Sequence, residues 1–333
     1  MALSKILPAS QEQYAGARNL IINGGFQCWQ RGTSVGDGST VLNDEFLADR
    51  WRCDDGVGGN MIISQQSFTT GQTDVPNNPK FYHRLDFPTT APSDNGIVEQ
   101  RIEGVSTAAG ETVTLSFWAK GTMSSSISIN IVQYFGTGGS PSATVDTSIT
   151  TFSLTSSWVK HTVNINVPSI SGKTIGSDTN DYLSVKFLTG TNTGQFDLAQ
   201  VQLEVGETAT PFEHRSYGDE LARCQRYGWR IAEGLQKRVA TGVWNNSTSA
   251  DIIWPLPVQM RAAPTLTVAS NGALLDFAVS WHNVTSVTLS GETTNRLVSL
   301  ICGVASSAAA QGDGAVWGGA SGINPDAFLD AEL

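Results

Sequence analysis

The chain has 333 residues, enough for two domains of ordinary size, each with its own core. Only 15% of the residues are charged, and the formal net charge of −10 argues against a nucleic-acid surface, which needs clustered Lys and Arg. Thirty-four glycines and apolar residues in short bursts point to a β-rich protein with many turns.

The N-terminus MALSKILPASQEQ lacks the apolar core of a signal peptide, and no apolar run reaches the roughly 20 residues of a membrane span. Residues 1–18 are polar and aperiodic and read as an arm. NLIINGGFQCWQRG (19–32) then reads as the first edge strand of a fold. It ends in an Asn-Gly-Gly turn where glycine accepts φ > 0, with Phe26 and Trp29 as core and closure.

From Asn19 to Glu213 short segments of period two alternate with Gly, Asn, Pro and Ser clusters. ETVTLSFWAKG (111–121) puts Val113, Leu115 and Phe117 on one face, and SISINIVQYF (126–135) does the same with Ile127, Ile129 and Ile131. WVKHTVNINV (158–167) and YLSVKFLTG (182–190) follow. GQFDLAQVQLEVG (194–206) slips phase once near Ala199 and Gln200, where a bulge fits. Eight or more such runs predict a two-sheet antiparallel sandwich over 19–213.

SYGDELARCQRYGWRIAEG changes period. A capping Ser216, Asp219 and Glu220 in the first turn and a closing Gly predict a linking helix over 214–234. Short strands return over 235–333, among them KRVATGVW, ADIIWPL, LLDFAVSW and NRLVSLICGV, as a second, smaller β domain. The fold class expected is all-β: a jelly-roll β-sandwich, one short helix, and a C-terminal β domain.

Candidates for chemistry are few. Cys28, Cys53, Cys224 and Cys302 fall in no metal-ligand spacing and read as small buried apolar side chains. Asp44/Glu45, Asp54/Asp55 and Asp178/Asp181 lie in loop-like sequence, while Glu99 and Glu103 flank Arg101 on one strand face as a charge ladder. The histidines are scattered, the HExxH and P-loop motifs are absent, and GDGAVWGGASG (312–322) reads as a surface loop. Among the tryptophans, Trp118 and Trp158 read as sandwich core. Trp244 with Asn245, Trp281 with Asn283, and Trp317 are the candidates for stacking on sugar rings, with the amides reaching hydroxyls.

Three stretches carry a resemblance. NLIINGGFQCWQRGTS with DEFLADRW (44–51), VQLEVGETATPFEHRSYGDELARCQRY (201–227) and WPLPVQMRAAPTLTV (254–268) together resemble bacteriophage tail and tail-fibre proteins. Separately, 19–204 is similar to jelly-roll carbohydrate-binding modules, some of which hold a structural calcium. That resemblance places the calcium at Asn23, Gln27 and Asp197, with Gln27 where the family has Glu, which a hard cation prefers. The expectation is a virion structural protein, a tail fibre or related appendage, that adheres to a host-surface glycan or serves assembly and does not turn over a substrate. The resemblance implies a homotrimer, and the arm would dock to another virion protein. Nucleic acid and membrane insertion are not expected, and synthesis would be in the host cytoplasm. A decorating component without a ligand and a polysaccharide depolymerase are the alternatives.

Overall fold

The structure, a computed structural model, describes residues 18–39, 42–124, 126–232, 238–276, 278–320 and 325–333. Apart from Arg18, the expected arm lies outside the described residues. The chain forms two compact units, Met1–Glu220 with Leu333, and Leu221–Glu332.

The first unit is a sandwich of two antiparallel sheets. One has the order β1 (Ser34–Val35), β3 (Ile62–Ser67), β4 (Phe81–Phe87), β11 (Gly194–Val205), β6 (Thr112–Gly121), β9 (Val159–Asn166). The other has the order β2 (Trp51–Asp54), β5 (Ile97–Glu103), β10 (Tyr182–Leu188), β7 (Ile127–Tyr134), β8 (Val145–Phe152). From β4 onward the chain changes sheet at every step except β7 to β8, in the jelly-roll manner. The period-two runs bury the side chains their alternation selects: Val113, Leu115 and Phe117 of β6 meet Ile127, Ile129 and Ile131 of β7 in one core. Burying each such side chain contributes roughly 1.5–3 kcal/mol, so the shared interior is what holds the two sheets face to face.

The segment 19–32 is not a strand. It runs beside β11, with Leu20 N–H donating to the Leu203 carbonyl (2.8 Å) and Val201 N–H to that of Gly24 (2.9 Å). The left-handed residues are Asn23 (φ 56°) and Phe26 (φ 53°), whereas neither Gly24 nor Gly25 has positive φ. Asn23 tolerates the conformation because its amide is fully used. Its Oδ1 accepts from Gln27 N–H (2.8 Å) and Cys28 N–H (3.0 Å), and its Nδ2 donates to the carbonyls of Cys28 (2.8 Å) and Asp49 (3.0 Å). Gly24 is glycine for a different reason: a Cβ there would stand 2.1 Å from the Val201 carbonyl oxygen. Phe26 is fully buried, and half-buried Trp29 stacks on His83, as core and closure.

The helix is shorter than 214–234. α1 covers Tyr217–Gln225, capped by Ser216, whose hydroxyl accepts Asp219 N–H at 3.2 Å. The unit boundary falls inside it, and the following Gly228–Ala232 is a strand, β12. Tyr227 through Ile231 is aromatic and β-branched around a glycine, and pairing with a β-strand outweighed the helical stripe read from spacing.

The second unit has a closed six-stranded barrel, ordered β13 (Arg238–Asn246), β14 (Ser249–Pro255), β18 (Leu297–Val304), β17 (Trp281–Leu289), β16 (Ala273–Leu275), β19 (Gly314–Gly318). A three-stranded sheet pairs β12, β20 (Pro325–Asp330) and β15 (Thr265–Asn271). The expected loop at 312–322 is in part a barrel stave, β19, because closure needs a strand between β13 and β16. Residues 321 and 322 of that stretch lie outside the described residues.

Adjacent glycines separate the two roles. Gly24→Ala should cost the first unit at least about 2–3 kcal/mol, because backbone must move. Gly25→Ala, whose Cβ would meet nothing closer than 3.5 Å, should stay within about 1 kcal/mol of wild type. Urea denaturation of both variants checks this, and equal midpoints would contradict it.

Candidate functional site

The outward face of the six-stranded sheet carries a groove. The alternation that sends Val113, Leu115 and Phe117 inward sends Ser116 and Trp118 outward, and on β9 it sends Lys160 outward beside Trp118. Trp118 is therefore half-buried on the outer face, a correction to its reading as core. Ser116, Trp118 and Lys160 form the floor of a cavity of about 400 Å³.

Two loops wall it, and both are tied to β11. The register of β11 against β6 shifts between Ala199 and Gln202, the bulge that the phase slip predicted. Gln200 sits in it with φ 47° and donates from Nε2 to the Pro76 carbonyl at 2.9 Å. That bond holds the first wall, Pro76 and Asn77, where Asn77 and Asn78 adopt φ 68° and 48°. Gln72 secures the same loop from behind, donating to the Val75 carbonyl (2.8 Å) and accepting Val75 N–H (2.9 Å).

The second wall is Ala209–Phe212. Its anchor is Glu204, buried on the outward face, which accepts Thr210 N–H and Thr210 Oγ1–H, both at 2.7 Å. Gln202, also buried, donates to Thr210 Oγ1 (3.2 Å) and accepts Glu213 N–H (2.8 Å). Beyond Asn77, Gln200 and Phe212 a smaller cavity of about 170 Å³ continues, lined by Gln27, Asn78, Lys80, His214 and Arg215 among others. The two halves share three wall residues and so read as one elongated groove. An aromatic floor with amide, hydroxyl and ammonium groups around it can stack on a sugar ring and bond its hydroxyls.

Past the groove on the same face, Phe68, Tyr82 and Trp158 pack together, with Lys120 Nζ 5.0 Å from the Trp158 ring. Trp158, read as core, is thus half-buried on the outside as well.

The five residues chosen from the sequence are not gathered on one surface. Trp244 and Trp317 are fully buried inside the barrel, where a closed six-stranded sheet needs large side chains to fill it. Trp317 donates its indole N–H to the Asn271 carbonyl (2.8 Å), and Trp244 packs edge-on to His282. Neither can stack on a ligand. Asn245 is half-buried at a register irregularity of β13, while Trp281 (37% exposed) and Asn283 share the outward face of β17.

The calcium donors also have other partners. Arg84 takes both Asp197 oxygens in a fork (2.7 and 2.8 Å), with Lys120 3.8 Å away, and the Asn23 amide is saturated by backbone. Gln27 lines the smaller cavity instead. Among the described residues no group of three His, Cys, Asp or Glu side chains could hold a metal.

All four cysteines are buried and unpaired by disulfide. Cys53 Sγ lies 3.5 Å from His83 Nε2, but this is no nucleophile–base pair. Burial raises the Cys53 thiol far above its ordinary range and lowers His83 to about 3, so both stay neutral. Glu99, on the charge ladder expected of β5, accepts Ser184 Oγ–H at 2.6 Å and pairs with Arg52 and Arg101.

No family profile matches the chain, and no curated protein matches it. Solved structures do. The enzymatically active domain of tailspike protein 4 of bacteriophage CBA120 is similar at 12% identity with a TM-score of 0.34, over 56% of this chain and 21% of that one. A CBM4 carbohydrate-binding module is similar at 17% identity and TM-score 0.32, over 55% and 98%. The CBM22-1 xylan-binding domain of Paenibacillus barcinonensis Xyn10C is similar at 15% and 0.32, over 54% and 100%. The likeness is of low degree, and the groove must be judged by its own residues.

The His83 environment fixes a pH dependence. The folded chain refuses a proton that the unfolded chain takes up near pH 6.5, so this stability is whole above 6.5 and lost as pH falls toward 3. Between pH 6.5 and 5, before most carboxylates titrate, His83 should contribute a slope approaching about 1.4 kcal/mol per pH unit. His161, lowered by burial too, acts in the same sense. His83→Leu should flatten that part of a urea-stability profile; an unchanged slope would count against a buried neutral His83.

Proposed function

We propose that the chain is a phage appendage protein, a tail fibre or related virion component, whose sandwich binds a saccharide in the groove over Trp118. The observation that carries the reading is the groove itself: an aromatic floor between two walls, each hydrogen-bonded to outward side chains of β11. Preformed walls reduce the ordering cost of binding. The virion part draws its support from the three sequence stretches that resemble tail and tail-fibre proteins. In this reading the protein acts as a homotrimer, its N-terminal arm docks to another virion protein, and weak sites gain from being displayed together.

Binding is favoured over turnover at this groove by the lining. Glycoside hydrolysis uses a carboxylate pair, and among the described residues no Asp or Glu lines either half. The carboxylates behind the walls, Glu204 and Glu213, are committed to Thr210 and to Asn19 N–H (2.6 Å).

The test is a glycan array and host-cell adsorption with the full chain and with Trp118→Ala. The variant should lose at least about tenfold in affinity, worth about 1.4 kcal/mol, with little change in thermal midpoint because Trp118 is only half-buried. Analytical ultracentrifugation of the same samples should give a trimer mass. Blank arrays and adsorption with protein still on particles would favour a structural component without a ligand. Unchanged binding by Trp118→Ala would place the site elsewhere, with Trp281 next to be examined.

A further inference from the structure

The groove's charge is the reverse of the protein's. The chain carries 30 Asp and Glu against 20 Lys and Arg, yet the groove is lined by Lys160, Lys80, Arg215 and His214 and, among the described residues, by no carboxylate. The acidic groups behind its walls are held by other partners, whereas Asp74 and Glu207, near the walls in sequence, are exposed and line neither half. Glu204 serves Thr210 and lies 3.8 Å from Arg18, and Asp197 is forked by Arg84. Glu213 and Glu220 both flank Arg215 at 3.4 Å, which leaves that guanidinium compensated. The Glu207 carbonyl accepts from Asn164 Nδ2 on β9 at 3.1 Å.

Lys160 and Lys80 differ from Arg215. Neither has an ion-pair partner among the described residues; Lys160 stands in the larger half of the groove and Lys80 in the smaller. Two uncompensated ammonium groups in a concave surface focus a positive potential that the acidic remainder of the molecule does not share. A neutral sugar would leave both unanswered. A chain with acidic groups along its length would meet one lysine in each half while its rings stack on Trp118 and its hydroxyls reach Asn77 and Gln200.

We propose that the ligand is an acidic saccharide, a sugar chain bearing carboxylate groups, engaged by Lys160 and Lys80 at the two halves of the groove. This rests on the saccharide reading above. It also gives the net charge a role: repulsion of polyanions by the rest of the surface confines them to one site.

The experiment uses the full chain and affinity electrophoresis through gels containing dextran, xylan, polygalacturonate or dextran sulfate. Polygalacturonate should retard the protein at least tenfold more strongly than dextran or xylan. Lys160→Gln and Lys80→Gln should each weaken that retardation about three- to tenfold and reduce its sensitivity to salt. Lys173→Gln, outside the groove, should change nothing, and Trp118→Ala should abolish the effect. Equal retardation by neutral and acidic polymers, lost in Trp118→Ala but not in the lysine variants, would overturn the acidic class and leave the saccharide reading standing. Stronger retardation by dextran sulfate than by polygalacturonate, unaffected by Trp118→Ala, would reduce the site to ion exchange and overturn it. No retardation by any polymer, with an equally blank glycan array, would overturn both readings.

Discussion

Strand β11 is the constraint on which the sandwich and its groove both depend. Its inward side chains Phe196, Leu198, Val201 and Leu203 are all fully buried in the core. Its backbone holds the segment 19–24, since Asn19 bridges the Val201 carbonyl (3.1 Å) and Leu203 N–H (3.0 Å). Its outward side chains Asp197, Gln200, Gln202 and Glu204 are buried too, and each is occupied by a named partner. A strand buried on both faces with its polar groups satisfied is expensive to disturb, because each orphaned group would cost about 1–3 kcal/mol.

The bulge converts that rigidity into a site. Without the register shift at Ala199–Gln202, Gln200 would keep its place in the ladder; with φ 47° it leaves the ladder and takes the Pro76 carbonyl. The loops flanking the groove are thereby pinned to the same strand from two sides. Loops held in this way provide fixed donors and acceptors over an aromatic floor, which is what recognition of a flexible, hydroxyl-rich ligand requires.

Much of this was legible in residues. Alternation in ETVTLSFWAKG fixed the core face of β6, and the phase slip near Ala199 located the bulge. The same alternation already assigned Trp118 to the outward face, opposite Phe117, but a preference for burying tryptophan overrode it. Trp244 and Trp317 failed in the opposite direction. The amides beside Trp244 and the glycine-rich setting of Trp317 suggested exposure, whereas closure of the barrel, a long-range property, decided their burial. The ion pair of Arg84 and Asp197 was hidden for the same reason, since 113 residues separate partners that only strand pairing brings together. The floor and walls of the groove come from segments near 76, 118, 160, 200 and 210, and no local pattern joins them.

The most direct measurement of the central claim is hydrogen–deuterium exchange of the full chain with and without an array-identified saccharide. Ligand-dependent protection is expected in the loops at 76–80 and 209–215 and around the bulge at 199–202, with the barrel strands unchanged. Protection confined to β17 around Trp281, with the sandwich loops unaffected, would contradict it.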